Sequence, residues 1–82
     1  MSMADDIRRH VKFNYIEPAR GRGEAIITIR VGDVHMEMGL KSRLPAVSAA
    51  LGSNKFEELC NVRKIRVEGP INGANARFTF KI

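Results

Sequence analysis

Apolar positions recur at helical spacing near the start of the chain. They lie four residues apart, along one stripe of a helix, at Ile7, Val11, Tyr15 and Ala19. Pro18 and Gly21 predict the end of this helix, because both residue types disfavour a helical interior. Residues 10–16 also alternate between apolar and polar types, so an extended conformation stays open there. We favour the helix.

The next segment, residues 25–31, is rich in β-branched residues with every second side chain on one face, which predicts a short strand. Two interpretations are open for residues 32–38. Gly32-Asp33 could form a hairpin turn leading into a second strand, or Asp33 could cap a helix. Val34 and Met38 lie four residues apart and Gly39 can end a helix, so we favour the helix.

A further helix is predicted over residues 42–53, with Ser42 as its cap and Pro45 in its first turn. Its apolar stripe consists of Leu44, Val47, Ala50 and Leu51. Ala46, Ser48 and Ala49 are then expected on or near its outer face. Phe56 and Leu59 either continue this helix or form another short turn.

The last twenty residues predict a β-hairpin. Apolar and polar residues alternate strictly in residues 64–67 and 77–82, so each strand is expected to bury one face. The connection contains Asn72-Gly73, which is typical of a tight turn, but is too long for a minimal hairpin. We expect the loop to project outward.

Charge divides the chain unevenly. Residues 1–37 carry six Lys or Arg and six carboxylates, whereas residues 38–82 carry eight Lys or Arg and three carboxylates. The whole formal charge of +5 therefore comes from the second half. A basic surface of this kind is typical of proteins that contact phosphate.

Candidate catalytic chemistry is sparse. His10 and His35 are the only histidines, and His35 does not face its neighbouring carboxylates on a helix. Cys60 is the only cysteine, which excludes an internal disulfide, and its apolar neighbours suggest an inert thiol. We therefore predict no enzyme activity, metal or cofactor.

No apolar run approaches the roughly 20 residues of a membrane span, and the N-terminus lacks a secretory pattern, so we expect a cytoplasmic protein.

The predicted order of helix, strand, helix, helix and hairpin resembles the winged helix-turn-helix family across nearly the whole chain. The most specific part is residues 32–51, where Gly39 matches the glycine of the turn and Val47 and Leu51 match the buried face of the recognition helix. The resemblance implies a single α+β domain over residues 1–82, with the order α-β-α-α-β-β. It also implies that helix 42–53 enters the major groove of DNA and that hairpin 64–82 is a wing.

Carried over residue by residue, the resemblance implies two groups of DNA-binding residues. The helix group comprises Lys41, Ser42, Arg43, Ala46, Ser48, Ala49, Asn54 and Lys55. The wing group comprises Arg66, Asn72, Asn75 and Arg77.

The expected partner is duplex DNA, in a transcriptional regulator or a DNA-associated accessory protein. A homodimer through the first helix would be compatible with this role. The alternative is a protein-interaction or dimerisation module that does not contact DNA. RNA binding is less favoured, because Phe78 and Phe80 are expected to be buried rather than displayed on a sheet. The sequence gives no basis for a membrane or small-molecule partner.

Overall fold

The first helix occupies residues 3–21 in a computed structural model that describes residues 2–82. It is α-helical over Met3–Val11 (α1) and Glu17–Gly21 (α2), and π-helical over the intervening turn Lys12–Ile16. The helix therefore continues through Pro18 and ends at Gly21, so the prediction that it ends at the glycine is confirmed and the prediction that Pro18 ends it was wrong. A proline ring clashes with the carbonyl four residues earlier in an α-helix, and the wider π turn immediately before Pro18 provides a different geometry there.

The π turn also changes which residues enter the core. Ile7, Val11 and Ala19 are buried as predicted, but Tyr15 is only half-buried and Ile16 is fully buried. One extra residue in the turn rotates the stripe by one position. A regular spacing of four predicts Tyr15 at the place that Ile16 takes.

Strand β1 (Ile26–Arg30) leads directly into helix α3 (Val31–Glu37), so the helical interpretation of residues 34–38 is confirmed. Asp33 does not cap α3. It lies in the first turn, where its Oδ1 accepts a 2.7 Å hydrogen bond from Arg30 Nη1. Gly39 follows α3 with φ +65°, the left-handed conformation that glycine adopts without strain.

The helix predicted over residues 42–53 is α4 (Leu44–Leu51), and Phe56 and Leu59 do not continue it but lie in a separate helix, α5 (Asn54–Cys60). Ser53 separates them, and its hydroxyl accepts from the Phe56 N–H at 3.2 Å. A serine in this position caps a new helix more favourably than it continues an old one. α5 buries Phe56 and leaves Leu59 exposed.

Strands β2 (Arg63–Glu68) and β3 (Arg77–Lys81) form the predicted antiparallel hairpin, and β1 joins it to give the sheet order β1-β3-β2. Ile65 interrupts the pairing between Lys64 and Arg66. The expectation that β2 buries one face was wrong, because Ile65 and Val67 remain 48% and 41% exposed. β2 is an edge strand, while the central strand β3 buries Phe78 and Phe80.

Over residues 2–82 the chain is thus a small α+β domain with four helices and a three-stranded antiparallel sheet. The core lies between the helices and the inner face of the sheet, where the rings of Phe56 and Phe80 are 5.1 Å apart. The order contains one helix, α5, beyond the predicted α-β-α-α-β-β. None of the helices in this part of the chain combines the length and apolar character that crossing a membrane would require.

The β2–β3 loop does not project freely, as its second half is attached to α3. The N–H groups of Val31 and Gly32 donate to the carbonyls of Ala76 and Ala74 at 2.9 and 2.8 Å. A Cβ atom on Gly32 would lie 2.8 Å from the Ala74 carbonyl oxygen and 3.0 Å from the Ala74 Cβ. Glycine is therefore required for this close approach.

We expect Gly32→Ala to lower the free energy of unfolding by about 1–3 kcal/mol, because backbone must move to accommodate the methyl group. Chemical denaturation measures this difference. Gly21→Ala is the matched control: a Cβ on Gly21 meets nothing within 4 Å, so alanine there should be neutral or stabilising by up to about 1 kcal/mol. Equal stability of the two variants would contradict the tight contact between α3 and the loop.

Candidate nucleic-acid interface

The turn between α3 and α4 presents three of the predicted site residues. Lys41, Ser42 and Arg43 are all exposed. Ser42 does not cap α4. It adopts φ +53°, and Arg43 occupies the cap position without a side-chain hydrogen bond.

His35 fixes this turn, a role that the sequence did not reveal. Its Nε2 accepts a 3.1 Å hydrogen bond from the Arg43 N–H, and its carbonyl accepts from the Leu40 N–H at 3.1 Å. A histidine eight residues before its partner gives no periodic signal. The ring links the end of α3 to the start of α4 and holds Arg43 at the entry to the helix.

Helix α4 exposes fewer side chains than the sequence predicts. Val47, Ala50 and Leu51 are buried as expected, but Ser48, predicted near the outer face, is only 6% exposed. Ala46 is half-buried, which leaves Pro45 and Ala49 as the exposed side chains of the helix. Ser48 is buried because the β2–β3 hairpin lies beside α4.

Helix α4 and the hairpin form the two sides of one groove with a volume of about 310 Å³. Ser48 and Ala49 line the helical side. The hairpin side is formed by Lys64, Val67, Ile71, Asn72 and Phe78. Asn72 therefore lies on the same surface as α4, at the tip of a turn in which the Gly73 N–H donates to the Pro70 carbonyl at 3.0 Å.

Arg66 and Arg77 lie on the other face of the sheet. Side chains alternate along a strand, so Arg77 and Thr79 point away from the core that Phe78 and Phe80 enter. The register places Arg66 opposite Thr79, on that same outer face. Hence two predicted wing cations, Arg66 and Arg77, do not face α4. The direction of Arg66 depends on the extra residue at Ile65, which no local pattern in the sequence indicates.

The remaining predicted DNA-binding residues also lie away from the groove. Asn75 Oδ1 accepts from Arg30 Nε and Nη2 at 3.3 and 3.0 Å, which holds the loop to the end of β1. Asn54 and Lys55 are exposed on the first turn of α5. A hydrogen bond with Ser2, and after it the charges of Arg8 and Lys55, lower the pKa of Asp5, so Lys55 lies near the start of α1 and does not line the groove.

Ion pairs neutralise the first half of the chain far more than the second. Arg8, Arg20, Arg22 and Arg30 pair with carboxylates of the same half. Of the eight Lys and Arg residues after residue 37, only Arg66 forms an ion pair within residues 2–82, with Glu68 at 3.5 Å. The other seven are Lys41, Arg43, Lys55, Arg63, Lys64, Arg77 and Lys81.

No family model, curated protein or solved structure matches the chain. The function of this surface is therefore inferred from its geometry and charge.

A second basic cluster lies at the opposite end of the hairpin. Arg20, Arg63 and Lys81 line a cleft of about 490 Å³ together with Asn61. Arg63 and Lys81 are direct cross-strand neighbours, and Arg20 Nη2 donates to the Asn61 carbonyl at 2.6 Å. The sequence did not predict this cluster, because Arg63 and Lys81 meet through the strand register and Arg20 joins them from α2 through its bond to Asn61.

Other reactive side chains serve the fold. Burial raises the pKa of the Cys60 thiol to about 11, so it remains protonated at neutral pH. Glu37 accepts hydrogen bonds from Tyr15 Oη at 2.6 Å and pairs with His10 Nε2 at 2.8 Å, which joins α3 to the first helix. Burial, with this hydrogen bond, raises the pKa of Tyr15. Among residues 2–82, no three His, Cys, Asp or Glu side chains are arranged as a metal site.

Proposed function

We propose that the chain is a winged helix-turn-helix domain that binds duplex DNA. Three features of the topology support this. A helix and a strand precede a pair of helices joined by a short turn, α3 and α4. A hairpin follows with a long loop, and its second strand lies at the centre of the sheet, in the order β1-β3-β2.

The observation that carries the proposal is the groove shared by α4 and the hairpin loop. A winged domain needs its recognition helix and wing beside one another, so that one duplex can contact both. Ala49 and Asn72, from these two elements, line the same groove. Lys41 and Arg43 are exposed at the N-terminal end of α4, where a recognition helix first meets DNA.

Contacts to phosphate should dominate this binding. α4 itself exposes Pro45 and Ala49, neither of which has a side chain that can donate or accept a hydrogen bond. The cations that can reach DNA, Lys41 and Arg43, lie in the turn before the helix, and most protein hydrogen bonds to DNA go to phosphate and sugar. We therefore propose weak sequence preference, with Ala49 available for contact with a thymine methyl group.

We expect Lys41→Gln with Arg43→Gln to weaken binding to a random duplex by about tenfold or more, because two phosphate contacts are lost. Fluorescence anisotropy at fixed salt measures the affinity. Amide shifts during the same titration locate the interface.

The control is Arg63→Gln with Lys81→Gln, which removes the same net charge at the cleft beyond the other end of the hairpin. We expect less than about a threefold loss, from the general field alone. A larger loss in the control than in the Lys41 and Arg43 variant would move the interface to that cleft and contradict the role given to α4.

Exposed apolar side chains favour one second candidate, a protein-interaction module. Phe13, Met36 and Ile71 are 62%, 71% and 77% exposed. Surface residues of this kind are common singly, but eight large apolar side chains are exposed over residues 2–82, a number that suits a contact with another protein. Sedimentation across a range of concentrations would detect self-association, and a monomer that binds duplex DNA would favour the first candidate.

A further inference from the structure

The basic cleft at the end of the hairpin, lined by Arg20, Arg63 and Lys81, brings like charges close together. Arg63 and Lys81 are direct partners across β2 and β3, and both are exposed. The Cβ atoms of such partners lie about 4.5–5.5 Å apart, and like charges in these positions destabilise a sheet. Neither side chain forms an ion pair within residues 2–82. An anion bound between the two cations would replace their repulsion with attraction.

Arg20 reaches the same cleft from α2, and its guanidinium is already held in place. Its Nη2 donates to the Asn61 carbonyl at 2.6 Å, and its Nη1 lies 3.3 Å from Glu17 Oε1. These bonds use two of the five N–H groups of a guanidinium, so the others remain for a ligand. A side chain that is fixed before binding loses less conformational entropy when the ligand arrives.

The size and lining of the cleft indicate the class of ligand. Its volume of about 490 Å³ lies within the range of small-molecule sites, roughly 300–1,000 Å³. Among residues 2–82, no side chain that lines it is acidic, and Val62 and Ile82 provide its apolar part. Two guanidinium groups and an ammonium group are the donors that proteins use to bind phosphate oxygens. Because the cations come from three separate elements, a ligand with two linked phosphates can contact all of them.

We propose that the basic cleft binds the diphosphate group of a small molecule. Arg63 and Lys81 share one phosphate, and Arg20 binds the other. The cleft is separate from the groove beside α4, and the proposal does not rest on DNA binding.

The test is a titration of the full chain with inorganic diphosphate at constant ionic strength, without DNA, followed by amide shifts. We expect saturable shifts confined to residues around the cleft, with a dissociation constant of roughly 1 mM or lower. Sulfate is the matched probe and should bind about tenfold more weakly, because a single small dianion cannot contact all three cations. Equal affinity for sulfate, or shifts that fail to saturate, would mean a general attraction to positive charge and would overturn the proposal.

Arg63→Gln with Lys81→Gln separates binding from folding. Diphosphate affinity should fall at least about tenfold, because charge-assisted hydrogen bonds are lost. The free energy of unfolding without ligand should stay the same or rise, because the repulsion between the two strands is removed. Lys41→Gln with Arg43→Gln removes the same net charge elsewhere and should change diphosphate affinity by less than about twofold. Equal losses of affinity in the two variants would contradict a site in the cleft.

Two further probes distinguish the sources of a diphosphate group. Tighter binding of a nucleoside diphosphate than of inorganic diphosphate would assign the cleft to a nucleotide, and equal affinity would assign it to the diphosphate itself. Both results support the proposal. Binding to anionic lipid vesicles without any response to inorganic diphosphate would instead make this a membrane-binding surface and overturn it.

Discussion

Replacing Phe80 with alanine should lower the free energy of unfolding by about 3–5 kcal/mol. Phe80 lies on the central strand, is fully buried, and its ring is 5.1 Å from Phe56 and 6.4 Å from Phe78. Truncation removes both aromatic contacts and leaves a cavity between the sheet and α5. Because a small domain has a total stability of only about 5–15 kcal/mol, the variant should unfold at a much lower denaturant concentration.

The matched control is Phe13→Ala. Phe13 is 62% exposed on the π turn, and Lys12 Nζ lies 5.6 Å from its ring centroid. The same truncation there should change stability by less than about 0.5 kcal/mol. Similar losses in the two variants would mean that the ring of Phe80 does not support the core.

The elements with strong local signals were predictable from the sequence. The stripe through Ile7 and Val11 gave the first helix, the β-branched run gave β1, and the alternation around Phe78 and Phe80 gave β3. Gly39 marked the end of α3 correctly. In each case one physical preference, either burial on one face or a positive φ, acts alone and leaves a regular pattern.

The errors in predicting the fold arise where two conformational preferences of the chain compete. Pro18 disfavours an α-helix, but a preceding π turn allows the helix to continue. The spacing of apolar residues in the sequence does not indicate that turn. The sequence left open whether Phe56 and Leu59 continue the preceding helix, and the capping hydrogen bond of Ser53 decides this by starting α5. β2 has an alternating sequence, but it lies at the edge of the sheet and carries an extra residue at Ile65, so its apolar side chains stay exposed.

The candidate site was predictable only in part, for a related reason. Exposure of Lys41 and Arg43 follows from a polar break between two helices. The burial of Ser48 depends on where the hairpin lies, and the outward direction of Arg66 depends on the register of β2 and β3. Contacts between residues that are distant in the chain produce no pattern in the local sequence. The groove, the basic cleft and the bond from Arg43 to His35 all belong to this class.

Binding to duplex DNA should depend steeply on salt. Three cations lie near α4 and its groove: Lys41, Arg43 and Lys64. If all three contact phosphates, the logarithm of the association constant should fall with the logarithm of salt concentration with a slope of about −3. Affinity would then drop on the order of 100-fold between about 50 and 200 mM salt.

The slope also tests which cations contact the phosphates, since each lost phosphate contact makes the slope shallower by about one. The variant that lacks the charges of Lys41 and Arg43 should therefore show a slope shallower by about two, while the variant at Arg63 and Lys81 should keep the parent slope. This comparison does not depend on absolute affinity, and both variants remove the same net charge. A parent slope shallower than about −1 would contradict the proposal, because a domain whose α4 exposes only Pro45 and Ala49 has few other ways to hold DNA.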